Sequence, residues 1–156
     1  KEDALADFKG WHPVVTNMIE KAEAHYRWAL FDRAPLERWS DGRAVLLGDA
    51  CHPTLPFQAQ GAVMAIEDGF LLAKLCSETP NDLDTALATY FDSRQPRTSR
   101  VQAASRSNAK LFHKRTPLSR LMAYGPIWIA SKIAPAVIRS RQGPFYAYDV
   151  REEPLR

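Results

Sequence analysis

The stretch RAVLLGDACHPTLPFQAQGAVMAIEDG, residues 43–69, holds the side chains whose types and spacing could do chemistry. Asp49 follows directly on an apolar run and Gly48. In open parallel sheets ligands bind beyond the carboxyl ends of strands, so an acid in this place stands where a ligand would be. An ionised carboxylate only accepts hydrogen bonds, which suits ligand hydroxyls such as those of a ribose or a ribityl chain. The same acid could equally cap a turn by accepting from neighbouring backbone amides. Further along, Gln60-Gly61 opens a helix. Its first amides and its dipole favour negative charge, and Gly61 lets a ligand approach the backbone. One segment therefore offers a hydroxyl acceptor at one end and an anion-favouring amide cluster at the other. A polyol chain joined to an electron-rich, anion-forming ring would match both.

Other candidates carry less. Cys51 and His52 are adjacent, and neighbours in an extended loop point apart, so they do not read as a thiol–imidazole pair. His52 is expected to fix the loop. The two cysteines, Cys51 and Cys76, form no CxxC and have no histidines at zinc-ligand spacing, so no metal site is expected. Reduced thiols suit a cytoplasmic protein. Arg33 could hold a substrate carboxylate bidentately or pair with a neighbouring acid.

The elements that must position these residues follow from local signals. Residues 4–9 read as the end of a helix stopped by Gly10, and Pro13 starts a short amphipathic helix carrying Val14, Val15, Met18 and Ile19. Tyr26, Trp28, Leu30 and Phe31 predict a strand by aromatic content. Asp41-Gly42 marks a turn, and residues 44–47 predict a buried strand, which usually belongs to a sheet covered on both faces. Residues 60–75 predict a helix with Gly61, Ala65, Gly69 and Ala73 on one stripe, suited to tight packing or to a flat ligand. Asp82 opens another helix, which Pro96 should kink or restart before residues 97–114. Pro117 begins a further one. Residues 121–138 are apolar but broken by Gly125, Pro126, Lys132 and Pro135, so they predict a buried or partner-facing helix pair rather than a membrane span, which needs about 20 predominantly apolar residues. The fold class is mixed α/β, one or two strands plus predominantly helices.

A chain of 156 residues is long enough for one ordinary core, and its charged, Lys1-led start suggests a segment of something longer. The net charge of +3 hides an asymmetry. Residues 1–92 hold eight Lys/Arg against fifteen Asp/Glu, whereas residues 93–156 hold thirteen against three. Such a basic half pairs with the acidic half, binds nucleic acid or a membrane surface, or steers anionic ligands. An RNA-binding face needs aromatics interleaved with the basic residues, and residues 94–120 offer only Phe112, so no nucleic-acid partner is expected.

The segment GDACHPTLPFQAQGAVMAIEDG resembles the second flavin-binding motif of the single-component FAD-dependent aromatic hydroxylases, the salicylate, 3-hydroxybenzoate and 6-hydroxynicotinate monooxygenases. The matching positions are Gly48, Asp49, Ala50, His52, Pro56, Gly61 and Asp68, and wider similarity runs from FKGWHP through LFDR and WSDGR to YDVREEP. The resemblance implies the carboxyl-terminal part of a Rossmann-like FAD-binding monooxygenase. Residues 1–33 would end a substrate-binding domain, residues 34–78 would close the FAD-binding domain, and residues 79–156 would form a helical region. Asp49 would accept from the ribityl hydroxyls and Pro56, the implied catalytic position, would lie beside the reactive edge of the ring. The backbone of Gly61, Ala62 and Val63 would meet its pyrimidine side, and Gly48 completes the implied cofactor contacts. Phe57 and Arg33 are the substrate-pocket candidates. In that family NADH or NADPH reduces the flavin, O2 forms a C4a-hydroperoxide, and a small aromatic acid is hydroxylated. The implied partners are the amino-terminal part of the same enzyme and a second copy in a homodimer. The family's opening G-x-G-x-x-G is absent among the seven glycines, so the segment alone should hold FAD weakly or not at all. The other reading is a non-catalytic interaction module whose basic half binds an anionic partner.

Overall fold

The computed structural model describes residues 1–153, so Pro154 of the YDVREEP stretch and the end of the 79–156 region lie outside the described residues. The chain divides into two compact units, Lys1–Leu30 and the rest from Phe31 on. In the first, α1 (Glu2–Asp7) ends ahead of Gly10, whose φ of +81° turns the chain. Helix α2 (Pro13–Lys21) starts as its proline predicts, with His12 Nδ1 accepting from the Val14 amide at 3.2 Å. The strand expected over residues 26–31 does not form: no described backbone pairs with it, and Trp28 is 80% exposed. Aromatic content favours a pleated surface but supplies no partner, and a strand exists only in a ladder.

In the second unit β1 (Ser40–Asp41) and β2 (Ala44–Val45) make a minimal antiparallel ribbon around Gly42, with Ser40 opposite Val45. This corrects the expectation of a buried strand over residues 44–47, because Leu46 and Leu47 are 40% and 42% exposed. Burial of an apolar run depends on neighbours that the run itself does not specify.

Helices dominate the remainder: α3 (Gly61–Glu78), α4 (Leu83–Phe112), α5 (Pro117–Ile133) and α6 (Pro135–Tyr146). Asp82 caps α4 by accepting from the Thr85 amide at 3.0 Å, and Thr116 caps α5 in a reciprocal box with Ser119. Pro96 does not divide α4, which runs unbroken through it. Packing of α4 on α3 overrides the local penalty of the missing amide. Of the two expectations for the apolar tail, burial fails: α5 and α6 contain no buried residue, and they meet at a bend of 107°. No single described helix is long and apolar enough to cross a membrane.

The core joins Trp39, Cys51, Leu71, Leu75, Ala86 and Tyr90, with the Trp39 ring edge-on to Tyr90 and Phe91 at 5.5 Å. Helix α3 buries Met64, Glu67, Asp68, Leu71 and Leu75. Its small-residue stripe lies on another side, and the upper half of that stripe seats the loop of residues 48–60 instead of a sheet. A Cβ on Gly48 would stand 3.1 Å from Ala65 Cβ, and one on Gly61 would stand 3.4 Å from Thr54 Cγ2.

Candidate functional site

The loop of residues 48–60 and the start of α3 enclose an open cleft of about 570 Å³ lined by Asp49, Thr54, Pro56, Ala59, Gln60, Gly61, Ala62 and Ala65. The structure thus brings Asp49, Pro56, Gly61 and Ala62 to one place. Among the described residues no hydrogen bond reaches the Asp49 carboxylate, so it does not serve as a turn cap. It faces solvent beside the cleft with its acceptor capacity free. The first helical bond of α3 runs from the Met64 amide to the Gln60 carbonyl at 2.9 Å, which leaves the amides of Gly61, Ala62 and Val63 ahead of the hydrogen-bonded ladder. Gln60 is only 4% exposed, yet its Oε1 has no partner among the described residues.

The other expected residues lie apart from this lining. Gly48 is buried behind it, at φ +60°, and the Val63 side chain is outside it. Phe57 turns toward the end of α4, its ring 6.1 Å from Phe112 and 5.4 Å from His113. Arg33 donates to the Ala50 carbonyl on the outer edge of the loop, while its neighbour Asp32 pairs with Arg106.

A buried ionic cluster holds the loop in place; sequence reading gave His52 a loop-fixing role but assigned none to Glu67, Arg94 or Arg97. Asp68 is fully buried and accepts from the Gly48 amide at 2.9 Å, from His52 Nε2 at 2.6 Å and from Arg94 Nε at 2.7 Å. Glu67 accepts from Arg94 at 2.7 Å and from both Nε and Nη2 of Arg97, a bidentate pair at 2.8 and 2.7 Å. Tyr148 closes the cluster, its hydroxyl accepting from Arg94 at 3.2 Å and its ring 3.9 Å from the Arg97 guanidinium. Burial alone would push the Asp68 carboxyl up, but its bonds from His52, Gly48 and Arg94 outweigh burial and hold it below the usual carboxylate range. His52 therefore does fix the loop. The signal available in the sequence was a pair of acids, Glu67-Asp68, on the same face of α3 as Met64, Leu71 and Leu75, matched by two arginines three apart on α4.

Cys51 is fully buried, a structural rather than an accessible thiol. Burial first, then the Asp68 charge, push its thiol up to about 12, and its Sγ lies 3.3 Å from the Gly48 carbonyl. The Cys51, His52 and Asp68 ligand atoms lie within 4.8 Å of one another, but the Asp68 oxygens already accept from the amide, the imidazole and the guanidinium.

Ala59 sits in the left-handed region at φ 52°, ψ 35°. That conformation costs a non-glycine residue about 1–2 kcal/mol, against roughly 0.4–1 kcal/mol of unfolded-state entropy regained by keeping a side chain. Ala59→Gly should therefore stabilise the fold by about 0.5–1 kcal/mol, seen as a higher melting temperature. A lower one would mean that the Ala59 methyl contributes packing.

Residues 5–105 match the FAD binding domain family, and the chain belongs to that family. Its cofactor is FAD. Among relatives, the chain is 46% identical over 118 residues to the 6-hydroxynicotinate 3-monooxygenase of Bordetella bronchiseptica, a match that covers 75% of this chain and 31% of that protein. It is 40% identical over 113 residues to the 3-hydroxybenzoate 6-hydroxylase of Klebsiella oxytoca, covering 72% of this chain and 28% of the relative. The chain thus spans less than a third of either relative. In structure it superposes on Klebsiella pneumoniae HpxO complexed with FAD and uric acid with a TM-score of 0.76 at 25% identity, over 99% of this chain and 38% of that one. A salicylate hydroxylase substrate complex matches at a TM-score of 0.56 and 31% identity, over 81% of this chain and 29% of that one.

Proposed function

We propose that this chain is the carboxyl-terminal part of an FAD-dependent monooxygenase of Rossmann-like fold, which hydroxylates a phenolic or heteroaromatic carboxylic acid with NADH or NADPH and O2. One observation carries the reading. A free acceptor, Asp49, and the residues that open α3, Gly61 and Ala62, line one cleft together with Gln60. These groups fit FAD: a carboxylate for ribityl hydroxyls and helix-opening amides for the carbonyl edge of the ring. The names of the relatives support the substrate class.

FAD, held by Asp49 and the start of α3, would supply the redox and oxygen chemistry of such a hydroxylation. Asp49 holds the ribityl chain. The α3 amides and dipole favour negative charge on the ring, with Gly61, Ala62 and Val63 contributing backbone N–H groups. Pro56 walls the reactive edge against water with a side chain that has no donor of its own. The remaining cofactor contacts, and the rest of the substrate domain that residues 1–33 would end, belong to the amino-terminal part of the enzyme. The reading also places the protein in the cytoplasm, as a homodimer.

In the full-length enzyme, Asp49→Ala is expected to weaken FAD binding by about 1.5–3 kcal/mol for each charged hydrogen bond lost, roughly ten- to hundredfold in Kd by fluorescence titration. Asp49→Asn should fall between the two. Unchanged affinity in Asp49→Ala would remove this cleft as the flavin site.

A further inference from the structure

The loop that carries Pro56 is poor in backbone donors. Pro53 and Pro56 have no N–H, so the loop builds no ladder of its own and its carbonyls must find donors elsewhere. Helix α4 supplies them at a regular spacing. Gln102 Nε2 donates to the Pro53 carbonyl at 2.8 Å, Ser105 Oγ to the Leu55 carbonyl at 2.5 Å, and Asn108 Nδ2 to the Phe57 carbonyl at 2.9 Å. Every third residue on one helix face thus meets every second carbonyl of the loop. Asn108 also donates to Gln58 Oε1 at 2.8 Å, and Tyr146 donates to the Gln58 carbonyl at 3.1 Å. Gln102 and Ser105 are buried, and Gln102 keeps this place although its Oε1 has no partner among the described residues.

Resting on the flavin reading above, we propose that Gln102, Ser105 and Asn108 are positioning residues that set where Pro56 stands against the flavin ring. None of the three lines the cleft. They act through the loop, whose other end is pinned by Asp68. The body of α4 is anchored separately, by Ala86, Leu87, Tyr90 and Val101 in the apolar interior, so loss of one polar rung shifts the loop without releasing the helix. Water reaching the ring edge would divert turnover. Coupled turnover converts ArH, NAD(P)H, H⁺ and O2 to ArOH, NAD(P)⁺ and H2O. Diverted turnover converts NAD(P)H, H⁺ and O2 to NAD(P)⁺ and H2O2, with both electrons going to oxygen and none of the oxygen to the ring.

The test uses the full-length FAD-loaded enzyme and the variants Ser105→Ala, Ser105→Thr, Asn108→Ala and, as a control on the exposed face of α4, Ser107→Ala. The readouts are the absorbance band shape and fluorescence of bound FAD. Peroxide formed per NADH oxidised is measured as well, with salicylate, 3-hydroxybenzoate and 6-hydroxynicotinate as probes. Ser105→Ala and Asn108→Ala should change the flavin band shape and raise the peroxide share about threefold or more, at an FAD content equal to wild type. Ser105→Thr, which keeps the hydroxyl, and Ser107→Ala should match wild type. Variants that hold FAD with an unaltered spectrum and peroxide share overturn the positioning role and leave the flavin reading standing. A wild-type enzyme that binds no FAD overturns both.

Discussion

Arg94→Met is expected to destabilise the full-length enzyme by about 3–5 kcal/mol, the cost of leaving buried charge unpaired. Arg94 is fully buried and joins Asp68, Glu67, the Met64 carbonyl and the Tyr148 hydroxyl. Removing it strips Asp68 of the one guanidinium it meets among the described residues and leaves two neighbouring carboxylates to share Arg97 and His52. The methionine restores volume, so the loss is electrostatic rather than a cavity. Chemical denaturation measures it as a lower midpoint at an unchanged slope. Arg94→Lys keeps the charge but not the planar fork, and belongs between the two. A further consequence separates this cluster from an ordinary ion pair. Asp68 also orients the Gly48 amide, so Arg94→Met should weaken FAD binding although Arg94 is remote from the cleft lining. A loss under about 1 kcal/mol would mean that the two acids reorganise or take up protons at little cost.

Gly48→Ala is expected to cost about 2–5 kcal/mol, from two separable causes. The φ of +60° penalises any side chain by about 1–2 kcal/mol, and the new methyl would sit 3.1 Å from Ala65 Cβ, an overpacking typically worth 1–3 kcal/mol. The double variant Gly48→Ala/Ala65→Gly tells them apart. Removing the Ala65 methyl clears the contact but leaves the backbone strain, so thermal melts of the double variant should recover roughly half of the loss relative to Ala65→Gly alone. No recovery would locate the whole effect in the backbone. Full recovery would mean that the left-handed conformation relaxes.

What the sequence determined by itself was whatever local chemistry sets. Pro13, Asp82 and Thr116 mark helix starts because a cap or a proline acts within one turn, and α2, α4 and α5 begin at or beside them. The Gly-Asp and Gln-Gly pairs mark the two ends of the cleft for the same reason: an acid after a turn and an amide-rich helix start are local features, and the loop between them is short enough to bring them together. The family too was legible in that stretch. Tertiary structure alone decided the rest. Residues 26–31 and 44–47 have the composition of strands, but pairing and burial depend on remote segments, and the described residues supply only the β1–β2 ribbon. Phe57 and Arg33, the substrate-pocket candidates, took from the tertiary structure their neighbours Phe112 and the Ala50 carbonyl. Periodicity within α4 places Arg94, Gln102, Ser105 and Asn108 on a helix, yet says nothing of what they face. Their partners at Asp68, Pro53, Leu55 and Phe57 lie far away along the chain, and contacts at that separation exist only once α3 and α4 have packed.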